Sequence, residues 1–202
     1  MAELIATFIF FFAVIDPIDS VPVFIAVTRG FDVRTKRQIA VKATLISAAM
    51  LVFFVVAGEA ILTAMEIPIS AFQIAGGIVL FLFALSMLFG ESKPEEELRM
   101  VESGTETAIF PLAVPSLAGP SSILAAVLLT KKNEFNLVEQ AQTTGVILFV
   151  LLITLVFLLA ASWIHKFIGN AGANVISRVM GLILASVAVT NVLAGITLYF
   201  GF

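Results

Sequence analysis

The sequence predicts an all-helical, polytopic membrane protein: six transmembrane helices in two inverted three-helix repeats, the first and fourth helices discontinuous. Three observations carry this. First, the 202 residues are 60% hydrophobic and only 12% charged, with a mean hydropathy of +1.13, too few polar groups to cover a soluble domain. Second, apolar runs nearly exhaust the chain, and each is long enough to cross a bilayer as a helix, for which roughly 20 residues suffice. Third, two of these runs, in corresponding halves, are interrupted by prolines, the arrangement that points to a transporter site. Ten-residue segments of alternating polarity are absent, which excludes an outer-membrane barrel.

The six spans are read at about 3–28, 36–64, 67–89, 107–130, 137–165 and 173–201. Glu3 stands where a signal peptide would carry basic residues, so the first span is expected to be a retained helix. Between the third and fourth spans runs an acidic connector bearing Glu91, Glu95, Glu96, Glu97, Glu102 and Glu106. It divides the chain into a first repeat (1–90), a cytoplasmic connector (91–106) and a second repeat (107–202). Assigned by parity, one face receives Arg29, Arg34, Lys36, Arg37, Lys42, Lys93, Arg99, Lys166 and Arg178, the other only Lys131 and Lys132. The positive-inside rule places the richer face in the cytoplasm and both termini outside it.

The halves share an order of broken helix, long helix and glycine-bearing helix. Ile74–Ser86 lies on Arg178–Thr190 without gaps, pairing Gly77 with Gly181 and Ala84 with Ala188. Three spans per half make the second repeat enter from the opposite side. Gly76, Gly77, Gly145, Gly181 and Gly195 are expected to permit close helix packing.

The first break lies in Ala13–Val23, which sets Asp16, Asp19, Pro17 and Pro22 in the middle of an apolar span. A carboxylate at that depth costs at least ~2.5 kcal/mol and is expected to face inward. Pro17 and Pro22 remove backbone N–H groups and clash with the carbonyls of Ala13 and Ile18, so the helix is expected to stop near Asp16 and resume near Val21. The second break lies in Phe110–Ile123, where Pro115 and Pro120 repeat the five-residue spacing, Gly119 supplies a joint, and Ser121 and Ser122 open the resumed helix.

Facing breaks present helix N-termini, which favour a carboxylate, and free carbonyls, which favour an ammonium group or cation. Such a pair is complementary to a zwitterion. Ser20, Ser121 and Ser122 add hydroxyls, while Ala118 and Gly119 leave room for only a small substrate side chain. Asp16 is the candidate to carry a coupling proton, bind Na⁺ or hold the substrate ammonium, with capping of local N–H groups as its structural alternative; Asp19 is a natural N-cap. Gln73, Thr190 and Asn191 are candidates to line the pathway, and His165 reads as an interfacial residue.

No phosphate-binding glycine loop is present, so ATP does not drive this chain directly. No His/Cys/Glu group has metal-ligand spacing, there is no cysteine, and no cofactor, metal or enzymatic activity is expected. The basic Arg34–Lys42 cluster suits anionic lipid and needs no nucleic acid.

Phe12–Phe24 resembles the Asp-Pro-x-Gly-Asn-x-Pro signature of the MarC family, and Pro111–Pro120 resembles that family's Ala-Gly-Pro signature. The likeness covers all six spans. It implies a transporter of neutral amino acids such as glycine and alanine, and assigns binding roles to Asp16, Pro17, Pro22, Gly119 and Pro120. Asp19 and Ser20 stand where the family usually has Gly and Asn, and the extra acid favours a cation-coupled or differently selective variant. The competing reading is an oligomeric cation channel lined by Asp16 and Asp19, which requires several copies around one pore; a blander one is a scaffold whose breaks only fix packing.

Overall fold

The computed structural model describes residues 2–89, 112–130 and 135–201. The first interrupted span is α1 (Ala2–Ile15) and α2 (Ser20–Val27), followed by α3 (Val33–Ala64) and α4 (Ile69–Phe89). A wide turn at Leu112–Leu117 leads into α5 (Pro120–Leu128), and α6 (Leu137–Leu159) and α7 (Ala161–Phe200) complete the chain. Among the described residues five stretches are long and apolar enough to cross a membrane: Glu3–Val27, Val33–Ala64, Ile69–Phe89, Leu137–Leu159 and Asn174–Phe200. The start of the expected fourth span, the acidic connector and the Lys131–Lys132 pair lie outside the described residues, as does the side chain of His165.

Local chemistry sets the ends of these helices. Asp32 caps α3 from an extended conformation, accepting from the Arg34 N–H at 3.2 Å and from the Thr35 hydroxyl. The Thr35 hydrogen bond holds the exposed Asp32 carboxyl below its ordinary range. At α6 the Asn136 side chain accepts from the N–H groups of Val138 and Glu139, and Glu139 accepts the Asn136 N–H at 2.8 Å. This reciprocal capping box satisfies both ends of the first turn.

The fifth span is shorter than expected, ending at Leu159 and not at residue 165. Its 23 residues rise about 34 Å at ~1.5 Å each, enough to cross the hydrocarbon core. Trp163 and Lys166 are exposed on the next helix, as suits an interface. α7 has 40 residues, but Gly169, at φ 62° and ψ 174°, breaks its helical path. The piece that spans begins at Asn174.

α3 packs on α6, and α4 on α7. Several of the remaining contacts form pairs that exchange when the halves are exchanged. α2 meets α7 as α5 meets α4; α2 meets α6 as α5 meets α3; α1 meets α5 as the Leu112–Leu117 turn meets α2. Around them Leu45, Phe53, Leu82, Phe149, Leu152 and Leu182 are exposed, the outward apolar surface that lipid requires. Lipid is as apolar as leucine, so helices in a bilayer adhere through close backbone approach at small residues.

The α4–α7 crossing is built that way. A Cβ on Gly77 would stand 3.0 Å from the Ala188 carbonyl oxygen and 2.7 Å from Val192 Cγ2. One on Gly181 would stand 3.1 Å from the Ala84 carbonyl oxygen and 3.2 Å from Leu88 Cγ. The contacts are reciprocal: each glycine meets the partner of the residue met by the other, as at a two-fold interface. Gly195 makes a third close approach, 3.0 Å from the Ser70 carbonyl oxygen. Gly145 does not share this role, because nothing lies within 4 Å of its would-be Cβ; it is on the outer face of α6.

Gly77→Ala and Gly181→Ala are each expected to destabilise the protein by about 1–3 kcal/mol through overpacking against backbone. Gly145→Ala is expected to be neutral or to stabilise by up to ~1 kcal/mol. Thermal unfolding in detergent checks the contrast; equal effects at all three glycines would contradict the assigned crossing.

Candidate functional site

The first break is a single left-handed residue followed by a tight turn. α1 ends at Ile15, and Asp16 takes φ +50°, a conformation that Asp and Asn tolerate better than other side-chain-bearing residues. Its N–H still closes α1 on the Phe12 carbonyl at 3.0 Å. Its carboxylate Oδ1 accepts the Asp19 N–H at 3.2 Å, and its carbonyl accepts both the N–H (3.2 Å) and the hydroxyl (2.9 Å) of Ser20. Pro17, in the turn, lacks the N–H that would bond the Ala13 carbonyl.

Two expectations are corrected here. Asp16, not Asp19, caps the turn: Asp19 is already helical (φ −72°, ψ −19°) and makes no side-chain cap hydrogen bond. Its N–H is held by Asp16, so the chain re-enters the helix earlier than Val21. Pro22 does not break the chain either. It sits third in α2, among the residues whose N–H groups have no intrahelical partner anyway, and the Ile18 carbonyl accepts from Val21 N–H instead. Ser20 spends its proton on the Asp16 carbonyl. Both acids are 2% exposed, in the interior as depth requires.

The second break has no acid. Val114 is extended (φ −142°, ψ 115°) inside the Leu112–Leu117 turn, which carries Pro115, and the Ala118 N–H reaches the Ala113 carbonyl at 2.9 Å, one residue wider than an α-helical bond. Gly119 is extended (φ −77°, ψ 171°) and caps α5 with no side chain to offer. Pro120 occupies the first helical position, where its missing N–H costs nothing, and it is exposed. The first intrahelical bond runs from Ile123 N–H to the Gly119 carbonyl at 3.0 Å. Ser121 and Ser122, the next residues of that first turn, are 5% and 1% exposed. The Ser122 hydroxyl has no hydrogen-bond partner among the described residues. Pro22 and Pro120 therefore hold different helical positions, third and first, despite their matched spacing.

Ser47 is a site residue that the sequence reading missed. Fully buried in α3, it shares its hydroxyl proton between the Ala43 carbonyl (2.9 Å) and the Ala113 carbonyl (3.2 Å). It ties the second break to a continuous helix. The available signal was its place in the small-residue row Ala40, Ala43, Thr44, Ser47 along one face of α3.

The flanks of the two breaks share one core. Ile15, Val21 and Val23 belong to the same buried cluster as Leu112, Ala113, Leu117 and Ala118, with α1 against α5 and α2 against the Leu112–Leu117 turn. Asn191 lines a cavity beside α1, whereas Thr190 is exposed and donates to its own helix at Ser186. Gln73 is half-buried on α4.

A family model described as MarC family integral membrane protein matches residues 1–200. The chain belongs to the MarC family. Among similar proteins, a UPF0056 membrane protein of Methanocaldococcus jannaschii is 35% identical over 92% of this chain and 91% of its own length. The UPF0056 inner membrane protein YhgN of Escherichia coli is 32% identical over 98% of both, and the UPF0056 membrane protein YvbG of Bacillus subtilis is 33% identical over 96% and 93%. No solved structure matches the chain. This MarC-family chain is an integral membrane protein, and the two proline-bearing stretches that resemble the family's signatures fall on the two helix breaks.

Asp16→Asn keeps a residue suited to the left-handed turn and an acceptor for the Asp19 N–H, so unfolding temperature is expected to hold. Asp16→Ala loses the cap and the tolerance, together about 2 kcal/mol. Ser47→Ala is expected to cost about 1 kcal/mol. Thermal melts of the three variants check this ranking.

Proposed function

We propose that this protein is a secondary transporter of small neutral amino acids, glycine- and alanine-like, working by alternating access between two inverted three-helix repeats. One observation carries the reading: two buried helix breaks share a core, the first bearing two carboxylates, the second bearing none and opening a helix with a buried, unpartnered Ser122 hydroxyl. Asp16 and Asp19 attract an ammonium group. The start of α5 offers the Ser121 and Ser122 N–H groups and the Ser122 hydroxyl to a carboxylate, with the helix dipole behind them. A zwitterion laid across the breaks meets a complementary charge at each end. Ala118 and Gly119, both buried, bring backbone close and favour a small side chain.

The exchanging contacts of the two halves and the reciprocal Gly77 and Gly181 approaches support the inverted repeat, in which equivalent halves open to opposite faces in turn. Asp16 is the residue proposed to carry the coupling H⁺ or Na⁺. The positive-inside rule supports reading the face that bears the exposed Arg29, Arg34, Arg37, Lys42, Lys166 and Arg178 as cytoplasmic, with both termini outside it; the name of the Escherichia coli relative favours the inner membrane.

In proteoliposomes, labelled glycine or alanine is expected to enter by saturable counterflow. Ser122→Ala is expected to raise KM about fivefold, the weight of one hydrogen bond, and Asp16→Asn to abolish any dependence of flux on the coupling ion. An unsaturable ionic current with no counterflow would replace the carrier with the channel reading.

A further inference from the structure

A cavity of about 510 Å³ opens among the start of α1, the end of α5, the start of α6 and the middle of α7. Glu3, Thr7 and Phe10 line it from α1, and Leu124, Ala125 and Leu128 from α5. Helical spacing makes each set one stripe on its helix, and each stripe points at a break. One turn beyond Phe10 lie Ala13 and Val14, both buried, and then Asp16. One turn beyond Ala125 lies Ser121. The cavity thus stops about 6 Å short of Ser121 and about 9 Å short of Asp16, at ~1.5 Å per helical residue.

The seal at that turn rests on Leu124. Gly76 of α4 is a notch filled by this side chain: a Cβ there would stand 1.9 Å from Leu124 Cδ1 and 2.5 Å from Cδ2. Leu124 therefore touches the notch on one side and the cavity on the other. One turn further along α5, Val127 fills a second notch, its Cγ2 lying 2.5 Å from a would-be Cβ on Gly58 of α3.

We propose that the cavity is the vestibule through which a small zwitterion reaches the two breaks, and that Leu124, seated in the Gly76 notch, is its gate. The vestibule rests on the transporter reading; the gate does not. Glu3 and Glu139 on the cavity wall draw the ammonium end inward, and Asn191 and Thr143 give it polar footing. With Leu124 in the notch, the cavity is as open as α5 allows. Driven out of the notch, the side chain moves into the cavity that it already lines.

The chain has no cysteine, so a single introduced thiol reports access. Ser121→Cys, in a lipid nanodisc and exposed to a charged thiol reagent, is combined with Leu124→Ala, Gly76→Ala and both. Leu124→Ala is expected to speed labelling about tenfold or more, because a buried leucine no longer fills the turn. Gly76→Ala is expected to slow it, since the Leu124 side chain from Cγ outward must move aside, and the double variant to label fast again. Counterflow of glycine is expected to follow the same order for Gly76→Ala and its reversal. Equal labelling in all four proteins overturns the gate, whatever the transport result. The expected labelling pattern without counterflow in the parent protein keeps the gate and overturns the amino-acid occupant together with the transporter reading. Leu124→Ala alone tests the gate should Gly76→Ala unfold.

Discussion

A main chain that leaves its helix at membrane depth must find partners for its N–H and C=O groups within the protein, since lipid offers none. This chain does so twice, and the rest of its architecture shelters those two places. At the first, the partners are local: the Asp16 side chain and carbonyl take the Asp19 N–H and both donors of Ser20. At the second, help comes from 66 residues away, where Ser47 donates to the Ala113 carbonyl. The difference follows from composition. An aspartate supplies acceptors to its own turn, while at the second break the Ala113 carbonyl takes the local Ala118 N–H and the distant Ser47 hydroxyl.

The surrounding frame is built on close backbone approach. Gly77, Gly181 and Gly195 bring α4 and α7 together at distances that admit no side chain, while Gly58 and Gly76 receive Val127 and Leu124 of α5. The same residue type does two kinds of work. Where glycine faces backbone, the contact resists change, because backbone cannot step aside. Where it faces the tip of a leucine or valine, the contact is a socket that the tip can leave through a rotamer change. α5, which carries the second break, is held by sockets of this second kind.

Much of this was legible in the sequence. Hydropathy marks span lengths, and prolines with buried acids mark the first break, because both signals arise from costs paid locally at membrane depth. The Gly77–Gly181 pairing was legible because gap-free matching of two helices follows from their shared role. Other features depend on the fold. Asp16 and Asp19 are equivalent as letters, and only the left-handed turn at Asp16 decides which one caps. Ser47 donates across 66 residues, a relation no local pattern encodes. Gly145 reads like the packing glycines, yet it faces outward, since a glycine's neighbours are set by helix rotation. The end of α6 at Leu159 lies in an apolar run with no breaker, where only the distance already travelled separates span from interface.

Reciprocal contact between α4 and α7 marks the scaffold, whereas the two breaks are unlike. Along the α4–α7 crossing the correspondence is close, residue against residue, because both helices meet the same packing demand. At the breaks the match lapses: one carries Asp16 and Asp19 and the other Ala118, Gly119, Ser121 and Ser122, and the prolines shift from the third to the first helical position. Equal breaks would suit a ligand with equal ends. A molecule carrying ammonium at one end and carboxylate at the other requires unlike ends set in a frame whose halves remain exchangeable. Unlike breaks beside a crossing that matches residue against residue are the arrangement that the proposed zwitterion carrier calls for.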